Sequence, residues 1–249
     1  MFSEPPRTQY DLLFMLGRVP VRVHPMFWFM TLVLVYNSLS RPIDVLLWVV
    51  TVFVSIVIHE MGHVLAFHRF GYNAHIVLHG FGGLAIPDSA RGRRIDTALS
   101  RVIIALAGPA AQILLAALIL LLMYAAGIGA YFQFWVIKIN IPGRGVDPGE
   151  HMETLLFFLL QVNIIWPLFN LLPVYPLDGS RVFRELLVRV NPHDGDRQVL
   201  ILSAFTAAAI AVVAFARWRS YYTAMMFGYL AYMSYMMLES SGGFGRRRW

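Results

Sequence analysis

The sequence has no cysteine and few charged residues. The absence of cysteine among its 249 residues excludes disulfides and thiolate metal sites, so a bound metal would need histidine, aspartate or glutamate ligands. Charged residues make up only 14% of the chain, hydrophobic residues make up 58%, and the mean hydropathy is +0.63. These values are outside the usual range of soluble globular domains and predict several membrane spans.

Three further features are missing. Met1 to Pro25 has no small-residue cleavage site, so we expect no cleaved signal peptide. The net charge is +6, but arginines and lysines stand at the ends of apolar runs without a basic, aromatic-interleaved patch, which argues against a nucleic-acid partner. No repeat or linker divides the chain, so we predict a single domain over residues 1–249.

Long apolar runs predict an all-α polytopic membrane protein with about six transmembrane helices. The predicted spans are about 26–39, 44–70, 101–126, 152–172, 199–216 and 221–238. Pro25 suits the first turn of the first helix, and Gly71 can stop the second. The segment Ala74 to Ile86 surrounds a glycine-rich turn and predicts a small membrane-associated β-hairpin, and Val19 to His24 alternates as a short strand would.

The positive charges predict an orientation in the membrane. With six crossings, fifteen arginines and lysines fall on the side of the N-terminus and five on the opposite side. This bias follows the positive-inside rule, so we expect both termini in the cytoplasm. Residues 127–149, between the third and fourth spans, are predicted to be a mixed loop on the outer side.

One apolar run carries an H-E-x-x-H sequence, His59 to His63. On a helix the two histidines share one face and can bind a single zinc ion, with Glu60 beside the open coordination position. Zinc lowers the pKa of bound water, and a neighbouring carboxylate can take the water's proton during attack on a carbonyl. A purely structural, hydrogen-bonded core is the alternative, although ionisable groups at bilayer depth are costly and usually functional.

Two histidines need a third protein ligand. Asp178 follows a proline-rich segment and begins a short basic helix. Alone, it would most often be a helix N-cap or turn residue. Together with His59 and His63, it is the best candidate in the chain for the third ligand.

Other polar residues have weaker claims to a role. Asn163 and Asn170 are seven residues apart in the fourth span, where the ordinary role of such side chains is bonding to neighbouring helices. His75 and His79 are expected to face solvent or headgroups rather than a metal. The role of His24 stays open.

The two motifs together resemble the site-2 protease family of intramembrane zinc metalloproteases, in a minimal form without PDZ or CBS domains. Residues 59–66 look like the family's H-E-x-G-H-x-x-A helix, and residues 170–179 look like its N-x-x-P-x-x-x-x-D-G motif. The resemblance implies one Zn²⁺ per chain, held by His59, His63 and Asp178. It further implies that Glu60 is the catalytic general base and that Asn170 acts near the site.

Weaker likenesses follow at Phe81-Gly82-Gly83 and at Gly108-Pro109. Where the family often has asparagine three residues after that proline, this chain has Gln112, to which we assign no catalytic role. The resemblance also implies a membrane-anchored protein substrate, cut within or near its transmembrane segment, in a bacterial or archaeal cell membrane. It leaves the oligomeric state open.

The main alternative is a metal-binding membrane protein without peptidase activity, either a transporter or an inactive scaffold. A transporter needs polar groups on both halves of its pathway, whereas Val199 to Leu238 contains no aspartate, glutamate or histidine. A scaffold would be expected to have lost Glu60 or a ligand, and these residues are all present.

Overall fold

The computed structural model of the protein describes residues 4–35, 41–88, 95–134 and 137–243. These residues form a mostly helical fold with two small sheets. The helices are α1 Pro25–Val35, α2 Pro42–Arg69, α3 Ala98–Ala126, α4 Glu150–Asn170, α5 Asp178–Val190, α6 Gly195–Ala216 and α7 Tyr221–Gly243. The strands are β1 Leu12–Leu16, β2 Val19–Val23, β3 Ala74–His79, β4 Gly82–Pro87, β5 Ala130–Phe134 and β6 Ile137–Ile141.

Some predictions concern positions outside the described residues. They are Leu39, where the first span was predicted to end, and six of the arginines that determined the orientation, Arg91, Arg93, Arg94, Arg246, Arg247 and Arg248.

The chain divides into two compact units. The first contains the residues up to Arg94 together with Ala107–Pro167, and the second contains Ile95–Leu106 together with the residues from Leu168 onward. The first unit includes both sheets, α1, α2, most of α3 and most of α4. The second includes α5, α6 and α7. That the chain forms a single domain stays a prediction.

The first unit contains a four-stranded sheet in the order β1-β2-β3-β4. β2 pairs with β3 in parallel, and the two outer pairings are antiparallel. The predicted strand at Val19 and the predicted hairpin from Ala74 are confirmed, and the two join in one sheet. Parallel strands need a crossover connection, which α1 and α2 provide. β3 is therefore a central strand, and β1 and β4 are the edges of this sheet.

A buried arginine ties the N-terminal segment to the sheet. Arg22 in β2 is buried, and its guanidinium donates to Asp11 at 2.8 Å and to Glu4 at 2.9 Å. Hydrogen bonds from Thr8, together with Arg22, lower the pKa of Asp11 to about 2. Burying a guanidinium is costly unless charged acceptors surround it, and these two carboxylates meet that need.

α2 is long because an apolar stretch runs between two helix-terminating residues. Pro42 occupies the start of the helix, where its missing N–H costs nothing. At the other end Gly71 adopts φ +84°, the left-handed conformation that commonly follows a helix and that glycine adopts without strain. Trp28 of α1 stacks on Phe53 of α2 with ring centroids 5.3 Å apart. α2 begins two residues before the predicted second span and ends one residue before its predicted end.

Four described helices are long and apolar enough to cross a membrane: α2, α3, α4 and α6. The protein is therefore a multi-pass membrane protein. α1 has 11 residues, which at about 1.5 Å per residue reach only about half of a ~30 Å hydrocarbon core. α7 has 23 residues but is less apolar, so six spans are not established by length and composition.

The prediction of a mixed loop for residues 127–149 is wrong over part of that segment. Residues 130–134 and 137–141 form the antiparallel pair β5 and β6. Gly129 precedes β5 and Gly143 follows β6, and the two residues approach each other closely. A Cβ on Gly143 would fall 2.3 Å from the Gly129 nitrogen. Apolar and polar residues alternate strictly through Ile137–Ile141, a strand feature that the surrounding glycine, proline and charged residues obscured.

The second unit is built around α6 and α7. Val174, Ala207, Phe227 and Leu230 form its buried apolar cluster. Ser203 contacts Ser234 at 2.7 Å, so the two long helices also share a buried hydroxyl pair. In the same unit, Arg101 donates to both carboxylate oxygens of Glu185, at 2.7 Å and 2.9 Å, and so fixes α5 to the start of α3.

Candidate metal centre

The two histidines of the H-E-x-x-H sequence lie one turn apart on α2 and point to one place. Nε2 of His59 and Nε2 of His63 are 3.1 Å apart, and both side chains are buried, with 3% and 4% exposure. Two nitrogen ligands about 2.0–2.1 Å from a tetrahedral zinc would be roughly 3.3 Å apart. The spacing of the two nitrogens thus fits a shared metal ion.

The third residue of the motif that matters chemically is Glu60, which is 4% exposed. Its carboxylate lies against the backbone of β4. A Cβ built on Gly83 would fall 2.4 Å from both Cγ and Oε1 of Glu60, so only glycine allows the strand to approach this closely. The carboxylate of the α2 motif and the backbone of the edge strand are therefore immediate neighbours.

A second glycine keeps space open beside the two imidazoles. A Cβ on Gly108 of α3 would lie 2.3 Å from Nε2 of His63 and 2.7 Å from Nε2 of His59. On the facing helix α2, directly before His63, a Cβ on Gly62 would lie 2.4 Å from the Ala107 carbonyl oxygen. Glycine on both helices lets α2 and α3 approach closely at the level of the histidines. The space that any side chain at Gly108 would fill borders both nitrogens.

The amide of Gln112, fully buried on α3, contacts the first histidine. Its Oε1 is 2.9 Å from Nδ1 of His59, and its Nε2 donates to the Ser55 carbonyl oxygen at 3.2 Å. Sequence reasoning gave Gln112 no catalytic role and did not foresee this contact. The available signal was a lone amide in an apolar helix, four residues after Gly108 and therefore on the same face.

Asp178 is the first residue of α5 and is 8% exposed. Leu177 is the N-cap, and no side-chain capping hydrogen bond is formed, so the ordinary helix-capping explanation for this aspartate does not hold. Gly179 follows it because a Cβ there would fall 2.2 Å from the Leu171 carbonyl oxygen, which explains the D-G pair within the second motif.

Within the first unit His59 and His63 form a buried pair of imidazoles, and Asp178, in the second unit, stays the predicted third ligand. Two imidazole nitrogens and one carboxylate oxygen are a donor set that zinc accepts, with a fourth position left for water. The residues present thus fit the zinc ion that the sequence implies.

The remaining predicted polar residues are elsewhere. His75 lies 3.0 Å from Asp88, and His79 accepts a hydrogen bond from the Phe81 backbone at 3.1 Å. Burial, with the positive charges of His24 and Arg22, lowers the pKa of His79 to about 4. Both histidines thus have protein partners within the first unit.

The two asparagines of the fourth span differ in environment. Asn163 is buried and donates to the Ser55 hydroxyl at 2.8 Å, the interhelical bonding expected of it. Asn170 is the last residue of α4, partly buried, and its catalytic role stays a prediction.

Comparison with known proteins gives a consistent picture. The profile described as "Peptidase family M50" matches residues 136–214. A zinc metalloprotease of Methanocaldococcus jannaschii is 27% identical over 179 residues, covering 70% of this chain and 44% of that protein. A putative zinc metalloprotease of Synechocystis is 27% identical over 199 residues, covering 74% of this chain and 46% of that protein. The chain thus spans less than half the length of these two relatives.

A solved structure is similar over nearly the whole chain. The site-2 protease from Methanocaldococcus jannaschii superposes with a TM-score of 0.53 and 19% identity, covering 96% of this chain and 99% of that one. At this identity the likeness concerns the fold. The profile match to peptidase family M50, the two curated zinc metalloproteases and this fold likeness to a site-2 protease are consistent with one another.

Proposed function

We propose that this protein is a zinc-dependent intramembrane endopeptidase that cleaves membrane-anchored proteins within or near their transmembrane segments. The observation that carries this proposal is the buried pair of Nε2 atoms 3.1 Å apart on α2, with Glu60 between the two histidines in sequence. His59, His63 and Asp178 would hold the zinc ion, which when bound polarises water and the scissile carbonyl. The names of the curated relatives support zinc as the metal.

The chain's own residues would move the proton. Glu60 carboxylate is the general base that accepts a proton from the attacking water and then delivers it to the leaving amine nitrogen. Its place against Gly83 supports this role, because a substrate strand beside β4 would bring its carbonyls near the carboxylate. Asn170 is proposed to donate a hydrogen bond to the substrate backbone or the developing oxyanion, a role typically worth about 3 kcal/mol.

A helical substrate hides its carbonyls in hydrogen bonds, so it must unwind before cleavage. Each backbone N–H or C=O group left without a hydrogen bond inside a bilayer costs roughly several kcal/mol. We propose that the substrate pairs as an extended strand with the free edge of β4. Because β3 is hydrogen-bonded on both sides, β4 is the strand of the hairpin that can accept a partner.

Two features of membrane topology belong to the same proposal. α1, a short helix, and α7, a less apolar one, complete six spans. Both termini face the cytoplasm, which the distribution of positive charge supports.

One panel of variants tests the proposed activity in purified full-length protein, using release of a tagged membrane-anchored substrate and zinc content as readouts. Glu60→Gln should keep near-stoichiometric zinc without cleavage, because Glu60 moves protons and binds no metal. Asp178→Asn should lose zinc or activity. Asn170→Ala should lower turnover with zinc content and thermal midpoint unchanged.

The alternatives make different predictions for the same panel. An inactive scaffold or transporter would bind zinc in the wild type without cleaving, and Glu60→Gln would then change nothing. Full proteolysis by Glu60→Gln or Asp178→Asn would refute the assignment of these residues. A thermal midpoint lowered in Asn170→Ala alongside turnover would assign Asn170 to helix packing.

A further inference from the structure

The side-chain amide of Gln112 has one possible orientation. The Ser55 carbonyl oxygen, 3.2 Å away, can only accept a hydrogen bond, so the NH₂ group of Gln112 must face it. Turning the amide over would set two carbonyl oxygens against each other. Oε1 therefore faces Nδ1 of His59 at 2.9 Å, and that nitrogen must carry the proton. The lone pair of the neutral imidazole is consequently on Nε2, the atom that points toward His63.

The partners of Gln112 are themselves fixed. Asn163 on α4 donates from Nδ2 to the Ser55 hydroxyl at 2.8 Å and to the Leu159 carbonyl at 2.8 Å. Ser55, Gln112 and Asn163 are each 0% exposed. α2, α3 and α4 therefore each contribute one member to a buried chain of hydrogen bonds that ends on His59. Buried polar groups are costly unless they are paired, and here the Asn163 NH₂ group, both ends of the Gln112 amide and Nδ1 of His59 each have a partner.

We propose that Gln112 is a positioning residue of the metal centre, which holds His59 in the tautomer and ring orientation that present Nε2 to zinc. The inference rests on the proposed function of the site and adds a residue to it. Metal-binding histidines commonly donate their other N–H to a carbonyl or carboxylate, and losing that acceptor typically weakens metal binding by about 10–100-fold. Gln112 does not reach the reacting atoms through this contact, in agreement with its lack of a predicted catalytic role.

The test compares three variants of the full-length protein in detergent by competition for zinc with a chromophoric chelator. Gln112→Met removes the acceptor at similar length, and Gln112→Glu, as a buried neutral acid, keeps an acceptor for Nδ1 of His59 and an O–H donor for the Ser55 carbonyl. Gln161→Met makes the same change at a partly buried position of α4 outside this chain of hydrogen bonds, and serves as the matched control. The thermal midpoint of each zinc-free protein is measured in parallel.

Gln112→Met should weaken zinc binding by about 10–100-fold relative to Gln161→Met, and Gln112→Glu should recover most of that loss. A merely structural role would lower the thermal midpoint without rescue of zinc affinity by glutamate. Unchanged zinc affinity in Gln112→Met, or equal losses in Gln112→Met and Gln112→Glu, would overturn the proposal.

If Gln112→Met does not fold, Gln112→Asn decides the same question. Its amide is one methylene shorter and cannot reach both Ser55 and His59, so zinc affinity should fall, whereas wild-type affinity would overturn the proposal. Failure of the wild type itself to bind zinc would instead refute the proposed function of the site.

Discussion

The substitution Gly108→Ala adds a single methyl group at the point where α3 meets the two imidazoles. The new carbon would lie 2.3 Å from Nε2 of His63 and 2.7 Å from Nε2 of His59. Non-bonded heavy atoms are comfortable at about 3.5–4.0 Å. The rings must therefore move by roughly 1 Å, or α3 must move away from α2, and either change alters the Nε2 pair.

Overpacking of this kind costs about 1–3 kcal/mol. If that cost is borne mainly by the zinc-bound geometry, zinc affinity falls by about 5–150-fold, since 1.4 kcal/mol corresponds to tenfold. Gly228→Ala in α7 is the matched control, because a Cβ there meets no atom within 4 Å. That variant should gain up to about 1 kcal/mol of helix propensity and bind zinc normally.

The assay is chelator competition on zinc-free Gly108→Ala, Gly62→Ala and Gly228→Ala proteins, with thermal midpoints recorded for each. In Gly62→Ala the new methyl group would clash with the Ala107 carbonyl rather than with a histidine. We therefore expect a lower thermal midpoint and a nearly unchanged zinc affinity of the folded protein. If Gly108→Ala binds zinc as tightly as Gly228→Ala does, the two Nε2 atoms are not the metal ligands and the geometric argument fails.

Two further predictions concern the sheet. Leu84 and Ala85 are neighbours in β4, so their N–H groups point to opposite sides of the strand. Of the variants Leu84→Pro and Ala85→Pro, the one that keeps the thermal midpoint should bind zinc yet stop cleavage. Wild-type turnover in that variant would exclude strand pairing at this edge. Burial lowers the pKa of His79 from 6.5 to about 4, so as the pH falls this imidazole is protonated in the unfolded chain before it is protonated in the folded protein. Folding stability is therefore lost as the pH falls from about 6.5 toward 4. The thermal midpoint should drop over this range, and less in His79→Gln; parallel curves would contradict the burial argument.

Sequence reasoning located α2, α3, α4 and α6 well because each is an uninterrupted apolar run, and length with hydropathy is sufficient for that purpose. It also found both motifs, since the H-E-x-x-H spacing and the D-G pair are local features. The β5–β6 hairpin was missed although Ile137–Ile141 alternates, because the glycine, proline and charged residues around it favoured a loop over residues 127–149. Sheet order was beyond the sequence, because a parallel pairing across two helices leaves no local signal.

The role of Gln112 could not be predicted for a different reason. A single amide in an apolar span bonds whatever faces it, and only the packing of α3 on α2 brings it to His59. The atoms that a Cβ at Gly108 or Gly83 would meet likewise depend on that packing. A glycine that leaves space for a neighbour, or a side chain whose partner is far away in the sequence, can be recognised only in the three-dimensional structure.

The parallel pairing of β2 with β3 has a consequence for biosynthesis. Val21 pairs with Ile76, so the second strand emerges from the ribosome only after α1 and α2 have been made. The pairing of β2 with β3 can form only after α1 and α2, the helix that carries the histidines, have been synthesised. Until then β2, whose valines are buried in the finished sheet, has no β3 to pair with. Assembly of the four-stranded sheet, with its β4 edge, is thereby ordered after synthesis of the helix bearing the H-E-x-x-H motif.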